Sequence, residues 1–406
     1  MKANRIHRVY ESIIVNHLKQ NDQMIFLTGP RQVGKTTVVK SIQSVNHNVY
    51  LNWDSLNDKK IILGGYEAII APLNLDKLTS VKPIVIFDEI HKMADWKNYL
   101  KGFFDTFKSQ LNIVVTGSAK LDVYQKSGDS LMGRYFLYHQ FPLSVAECLR
   151  SDFYTQEIMP PAKIDDITWK VLFEFGGFPE PFIKRNSLFL NQWQTLKHNQ
   201  LFREDLRDLS KIRELTQCEL LATILQQQAT KLVNYSQLAK HIRVSDYSVR
   251  TWMDDLRYLY YCFYIYPWSK NIPRALIKEP KCYLWDWSVI NDHGARVENF
   301  VACHLYKAIN YWTDIGLGKY ELFFIRDKDK NEVDFLITKN AMPWILIEVK
   351  NAQNSSINSA LYKFQKQLDI KHAFQLAFDM PYVDKDCFTL NRPMVVPMIT
   401  FLSQLV

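Results

Sequence analysis

The sequence lacks an apolar run long enough to cross a bilayer. Its most apolar window, "LRYLYYCFYIYPW" at 256–268, falls short of the roughly 20 residues a spanning helix needs, and it carries Arg257. It also lacks a C-x-x-C pair. The six cysteines, Cys148, Cys218, Cys262, Cys282, Cys303 and Cys387, are scattered, several of them among apolar neighbours. They read as reduced buried thiols, which argues against a disulfide framework and against structural zinc. The opening segment, "MKANRIHRVYESIIVNHLKQND", lacks the continuous apolar centre and small-residue cleavage site of a secretory signal and reads as an amphipathic helix. A cytoplasmic protein without membrane association is expected. Nor is there a compositional sign of disorder: 47% of the residues are hydrophobic and 14% aromatic, enough for ordinary cores.

At 406 residues the chain has room for two or three domains. The net charge is +8 and is unevenly spread. Residues 1–162 carry +4, 163–274 carry +4 and 275–406 carry none, and the excess of the middle part lies within 231–274. A basic excess points weakly to an anionic partner, and its concentration in one segment says where to look.

The sharpest pattern is "FLTGPRQVGKTT" at 26–37. Two glycines bracket four residues and are followed by a lysine and two threonines. "MIFLTG" before it reads as a buried strand, and "KTTVVKSIQ" after it reads as a helix with Val38, Val39 and Ile42 on one side. A phosphate-binding loop needs that setting. Glycines let successive N–H groups turn inward towards phosphate oxygens, and the helix N-terminus adds a field that favours anions. Gly29, Pro30, Arg31, Gln32, Val33, Gly34, Lys35, Thr36 and Thr37 are therefore the expected ATP loop. Lys35 is placed to reach the β and γ phosphates, and Thr36 to give a hydroxyl to Mg²⁺.

A second strand, "KPIVIFDEIHKM" at 82–93, is continuously apolar from Ile84 to Phe87, as a parallel strand buried on both faces should be. Asp88 at its end is the expected holder of Mg²⁺, and Glu89 the group that orients and deprotonates the attacking water. A third strand, "LNIVVTGSAKL" at 111–121, ends in Thr116 and Ser118. These either hydrogen-bond the γ-phosphate and the water or cap the following helix. Arg134 is read two ways: as an arginine finger, in cis or on a neighbouring subunit, or as a surface salt-bridge residue.

These pieces, with "SLMGRYFLYHQFPLSVAE", "FGGFPEPF" and "KCYLWDWSVIND…RVENFVACHLY", resemble the prokaryotic AAA-type ATPases that join a small P-loop domain to a C-terminal region of unknown function. The resemblance covers nearly the whole chain. It implies an AAA-like core, a helical middle with a winged helix, and a nuclease-like C-terminal fold. A homo-oligomer, a ring among the options, is expected. "SDFYTQEIMPPAK" has two prolines and no periodicity, so it reads as a linker. "FGGFPEPF" is either a turn close to the nucleotide or a plain interhelix turn.

In the middle segment, 235–242 reads as a short helix with Leu238, Ala239 and Ile242 inward, and "RVSD" as a turn. Ser245 or Asp246 caps a second helix whose core side is Val249, Trp252, Met253, Leu256 and Leu259. "YYCFYIYPW" and "KCYLWDW" follow as a hairpin, which completes a winged helix-turn-helix. In a DNA reader, Tyr247, Arg250 and Thr251 would enter the major groove, with Lys240, Arg243, Lys270 and Arg274 on phosphates. The competing reading is a structural winged helix, which Asp254 and Asp255 on the same helix favour.

Further on, "ELFFIRDKDKNEVDFLITKNAMPWILIEVKNAQ" reads as three strands. Asp334 is on the second and Glu348 and Lys350 share a face of the third, giving D-x13-E-x-K. This resembles the PD-(D/E)xK nucleases. The resemblance implies that Asp334 and Glu348 hold Mg²⁺, that Glu298 from the preceding helix is a further ligand, and that Lys350 adds positive charge at the scissile phosphate. Lys363, Gln365 and Gln367 would line the site from a later helix. The rival is a DNA-binding fold without cleavage.

The expectation is thus an α/β multidomain chain. It comprises an AAA-type P-loop core with a parallel sheet at 1–155, a helical lid or linker at 156–215, a winged helix at 216–280 and a restriction-endonuclease-like domain at 281–406. Its expected work is Mg-ATP-dependent action on DNA, in processing, repair or defence. The alternatives are an ATP-gated DNA-binding regulator with a silent nuclease fold and an ATPase acting on a protein partner.

Overall fold

The computed structural model describes residues 6–42, 48–73, 75, 81–117, 131–209, 214–269, 279–389 and 391–406. Ser118, Lys270 and Arg274 lie outside them. The chain divides into two compact units, one of 1–141 with 150–154 and one of 142–149 with 155–406.

The first unit is built on a parallel sheet of five strands, β1 (Met24–Thr28), β2 (Asn48–Asn52), β3 (Ile84–Asp88), β4 (Asn112–Thr116) and β5 (Tyr135–His139), in the order β2-β3-β4-β1-β5. β1 and β3 are buried at every position, which their unbroken apolar runs dictate. β4 lies between them: Thr116 is level with Leu27 on one side and Asp88 on the other. The loop after β1 and the carboxylates after β3 therefore open at the same edge of the sheet, flanking the end of β4. The helix Trp96–Phe107 covers one face. Trp96, Leu100, Phe103, Phe104 and Phe107 recur at helical spacing and pack with Phe26, Phe87 and Val115 into the core.

In the second unit, which includes the short helix Val145–Leu149, the stretch 155–165 holds no helix or strand, and the next helix is Asp166–Phe175. "FGGFPEPF" is an interhelix turn of this unit. Gly176 is at φ +82°, and a Cβ on Gly177 would sit 2.5 Å from the Trp287 ring and 2.7 Å from the Leu143 carbonyl. Leu215–Gln227, Tyr235–Ile242 and Asp246–Tyr258 form the helical middle. Ser245 caps the last of these, its hydroxyl accepting from the Ser248 N–H, and Val249, Trp252, Met253 and Leu256 are buried.

A mixed sheet of seven strands follows: β6 (Cys262–Pro267), β7 (Lys281–Leu284), β8 (Tyr320–Arg326), β9 (Glu332–Lys339), β10 (Met342–Lys350), β11 (His372–Ala377) and β12 (Met394–Pro397), in the order β12-β11-β10-β9-β8-β6-β7. The helix His293–Asp314 enters before β8, and Ser359–Leu368 links β10 to the parallel β11.

Residues 142–149 fall with the second unit and 150–154 with the first, so the chain passes for the last time from one to the other at 154–155, where the first break was expected. The expected division at 280 falls within the antiparallel hairpin β6–β7, and β6 continues into the C-terminal sheet by pairing in parallel with β8. Pairing between distant strands leaves no mark in composition.

Candidate functional site

The loop after β1 is curled by Gly29 at φ +145°, Gln32 at +63° and Gly34 at +92°. Only glycine suits the first position, since a Cβ there would lie 2.0 Å from the Gln140 carbonyl oxygen. Lys35 opens the next helix and is buried. Its ammonium donates to the carbonyls of Gly29 at 2.9 Å and Pro30 at 2.7 Å. Burial pulls its pKa down to about 8, against the pull of Glu89 and Asp88.

Asp88 is gripped by three hydroxyls. Thr36 Oγ1 donates to Oδ2 at 2.9 Å, Tyr50 Oη to Oδ2 at 2.6 Å and Thr116 Oγ1 to Oδ1 at 2.5 Å. Glu89 beside it has the left-handed backbone, φ 59°. Its Oε2 makes no hydrogen bond; the His91 ring Nε2 lies 3.4 Å away and the Lys92 ammonium 3.6 Å. Burial, the largest influence, raises the Glu89 pKa. A buried carboxylate oxygen with an open valence, next to a threonine–aspartate pair and a lysine held on carbonyls, fits Mg²⁺ and a triphosphate. Thr36 and Asp88 would hold the metal.

Behind the loop are residues that sequence reasoning missed. Arg8, buried at the start of the first helix, donates from Nη1 to the Val33 carbonyl at 2.5 Å and from Nη2 to that of Phe141 at 2.6 Å. Gln140 donates to the same Val33 oxygen at 2.8 Å. Tyr50 was missed too. No local pattern marks Arg8 or Tyr50, whereas Gln140 falls within the quoted block "SLMGRYFLYHQFPLSVAE".

In the second unit, Glu298, Asp334 and Glu348 gather at one place. The Val349 N–H donates to Asp334 Oδ2 at 2.9 Å, and the Asp334 N–H to Glu348 Oε2 at 3.4 Å. Lys350 Nζ and Asn358 Nδ2 both donate to Glu348 Oε1, at 2.7 and 2.9 Å. The expected metal ligation by Glu298, Asp334 and Glu348 does not fit this arrangement. Lys281 from β7 puts its ammonium 3.5 Å from Glu298 Oε1 and 3.6 Å from Asp334 Oδ1. Among the described residues no three carboxylate, histidine or cysteine side chains are arranged as a metal-binding group. Lys363 and Gln365 point elsewhere: Lys363 pairs with Asp327 at 2.6 Å, and the Gln365 amide bonds the carbonyls of Lys371 and Asn391.

On the helical middle, Lys240, Arg243, Tyr247, Arg250 and Thr251 are all exposed, Tyr247 at 79%. Arg250 stacks over the Tyr235 ring at 4.1 Å, and Thr251 Oγ1 bonds back to the Tyr247 carbonyl at 3.0 Å. No helix among the described residues is long and apolar enough to cross a membrane.

Residues 21–149 match the AAA domain family. This chain carries an AAA-type P-loop ATPase domain. Residues 168–297 and 293–387 match two domains of unknown function, DUF8612 and DUF4143. Uncharacterised proteins of Mycobacterium bovis and Mycobacterium tuberculosis are each 22% identical to it over 353 residues, 83% of this chain and 72% of theirs. Among solved structures, a Walker-type ATPase of Pyrococcus abyssi is 13% identical and is matched over 71% of this chain and 95% of its own, with a TM-score of 0.44. PCH-2 of C. elegans is 17% identical over 34% and 41%, with a TM-score of 0.23.

Within the AAA domain the cis form of the Arg134 expectation is corrected. Arg134 precedes β5, whose first residue is level with Met24 at the start of β1, whereas the P-loop leaves the far end of β1. Arg134 Nε and Nη2 instead each meet a carboxylate oxygen of Asp105 at 2.9 Å.

Proposed function

We propose that the AAA domain hydrolyses Mg-ATP and that this turnover governs the grip of the helical middle on DNA. The observation that carries the hydrolytic part is the hydroxyl of Thr36 on Asp88 with the open oxygen of Glu89 next door. On binding, the Lys35 ammonium exchanges the Gly29 and Pro30 carbonyls for phosphate oxygens. Glu89 takes the proton of the attacking water, and its buried setting makes it the more basic for that work. The metal would supply neutralisation of charge at the transferring phosphoryl group. Arg8 and Gln140 keep the Val33 carbonyl of the loop turned away from the phosphates.

The DNA part rests on the exposed face of Lys240, Arg243, Tyr247, Arg250 and Thr251, a winged-helix surface in the basic segment 231–274. Lys270 and Arg274 of that segment belong to the same proposal, as does self-assembly, through which Arg134 would act on a neighbour's nucleotide. The C-terminal sheet enters as a nuclease-like fold (helix, three antiparallel strands, helix, parallel strand) that supports binding and does not cut.

The test is ATP turnover with Mg²⁺ alone and with single-stranded, duplex and branched DNA. Turnover that DNA stimulates, and that Lys35→Ala abolishes, supports the reading. Turnover indifferent to every DNA would hand the role to a protein partner.

A further inference from the structure

One ammonium stands among three carboxylates in the C-terminal cluster. Lys281 Nζ lies 2.8 Å from Glu332 Oε1, 3.5 Å from Glu298 Oε1 and 3.6 Å from Asp334 Oδ1. Its side chain is only 8% exposed, and its ammonium lies over the Phe324 ring at 5.5 Å.

The backbone of Lys281 is fixed on both sides. It pairs with Ile265 of β6 on one edge and bridges Leu232 on the other. Tyr283, two residues on and so on the same face of β7, donates its hydroxyl to the same Glu298 oxygen at 2.8 Å. The strand therefore presents a cation and a donor together to the carboxylate that the D-x13-E-x-K pattern would offer to a metal. Mg²⁺ takes oxygen ligands at about 2.0–2.1 Å. To bind here it would have to expel a buried ammonium whose strand is bonded along both edges, and until it did so the two cations would repel at short range.

We propose that Lys281 is a built-in cation in the place of the divalent metal, so that the cluster is a closed, metal-independent clasp. The proposal rests on the reading of this sheet as nuclease-like and deepens it, and it is independent of the ATPase. The clasp has a mechanical consequence. The ladder joining the hairpin to the rest of the sheet is short, Tyr266 to Phe323 and Pro267 to Phe324. Lys281 adds an ionic tie from the hairpin to β9 and to the helix His293–Asp314, and so couples the segment that follows the proposed DNA-binding helices to the C-terminal core.

The electrostatics agree. Burial alone would lower the Lys281 pKa, but Glu298, Asp334 and Glu332 together raise it above its ordinary value. Burial first, then Glu298 and Glu348, hold the Asp334 carboxyl well above the usual range. Burial likewise raises Glu298.

Mn²⁺ binding to the nucleotide-free full chain, counted by electron paramagnetic resonance, tests this with Lys281→Ala, Asp334→Asn and the double variant. Wild type and Asp334→Asn should bind the same number of ions. Lys281→Ala should melt lower than wild type, gain one ion that the added Asp334→Asn removes, and regain melting temperature with Mn²⁺. A wild-type ion that Asp334→Asn or Glu298→Gln removes overturns the proposal. So does a folded Lys281→Ala that gains none, or wild-type DNA cleavage that Glu348→Ala abolishes. If Lys281→Ala does not fold, wild type against Asp334→Asn and Glu298→Gln decides. ATP turnover read on the same samples separates the two claims: its absence in wild type would sink the hydrolytic reading and leave the ion counts standing.

Discussion

Thr36 and Asp88 lie 52 residues apart, and the hydroxyl of one donates to the carboxylate of the other at 2.9 Å. This contact joins the phosphate loop to the carboxylate strand β3, across the end of β4. Tyr50 shares the same oxygen at 2.6 Å, so the group expected to hold Mg²⁺ is preset by side chains from two further elements. Tyr50→Phe should leave the fold intact and free one acceptor position on Asp88. The expected outcome is a change in the Mg²⁺ concentration for half-maximal turnover with nucleotide affinity little altered. Titration of metal at fixed ATP reads it.

The brace behind the loop should matter to stability as well as to rate. Arg8→Met removes donors from two buried carbonyls, those of Val33 and Phe141. Val33 keeps Gln140, but Phe141 loses its guanidinium. Loss of one charged hydrogen-bond donor to a buried group costs about 1.5–3 kcal/mol. Denaturant unfolding of the variant should show a deficit of that size, and saturating nucleotide should restore part of it.

Two groups of the site set its pH dependence, with opposite signs. Glu89 must be ionised to accept a proton, and burial raises its pKa. Turnover should therefore fall as pH drops through that raised value, earlier than for an exposed carboxylate. Lys35, pulled down to about 8 in the free loop, loses its charge as pH rises through that value. Nucleotide affinity should weaken above about pH 8, and Lys35→Arg should flatten that limb because a guanidinium stays charged. Nucleotide titrations across the range check both the slope and its removal.

Much of this was legible in the sequence, and the reasons are physical. β1 and β3 stood out because strands buried on both faces are continuously apolar. The helix Asp246–Tyr258 stood out through Val249, Trp252, Met253 and Leu256 at helical spacing, with Ser245 at its start. β2 and β5 were not legible as strands: most of their residues are not buried, so neither has the unbroken buried apolar run of β1 and β3. Arg8 and Tyr50 act through contacts far along the chain, which spacing cannot show. Lys281 was passed over as part of a strand-like piece. Its meaning depends on β6 pairing in parallel with β8, a tertiary fact.

For DNA, the triple variant Lys240→Ala, Arg243→Ala, Arg250→Ala should bind more weakly and with a flatter salt dependence. Each lost phosphate contact reduces the slope of log affinity against log salt by about 0.9. Arg250 also stacks on Tyr235, so thermal melting should accompany the titration. An unchanged slope in a folded variant would give these helices a structural role.

The central claim is that Glu89 takes the proton of the water that attacks ATP. Steady-state turnover with Mg²⁺ in wild type and Glu89→Gln, with nucleotide binding measured on both, tests it most directly. A general base contributes about 10²–10⁴-fold. The account predicts measurable wild-type turnover, a fall of that order in Glu89→Gln, and ATP affinity retained in the variant. Equal turnover in the two proteins would contradict it.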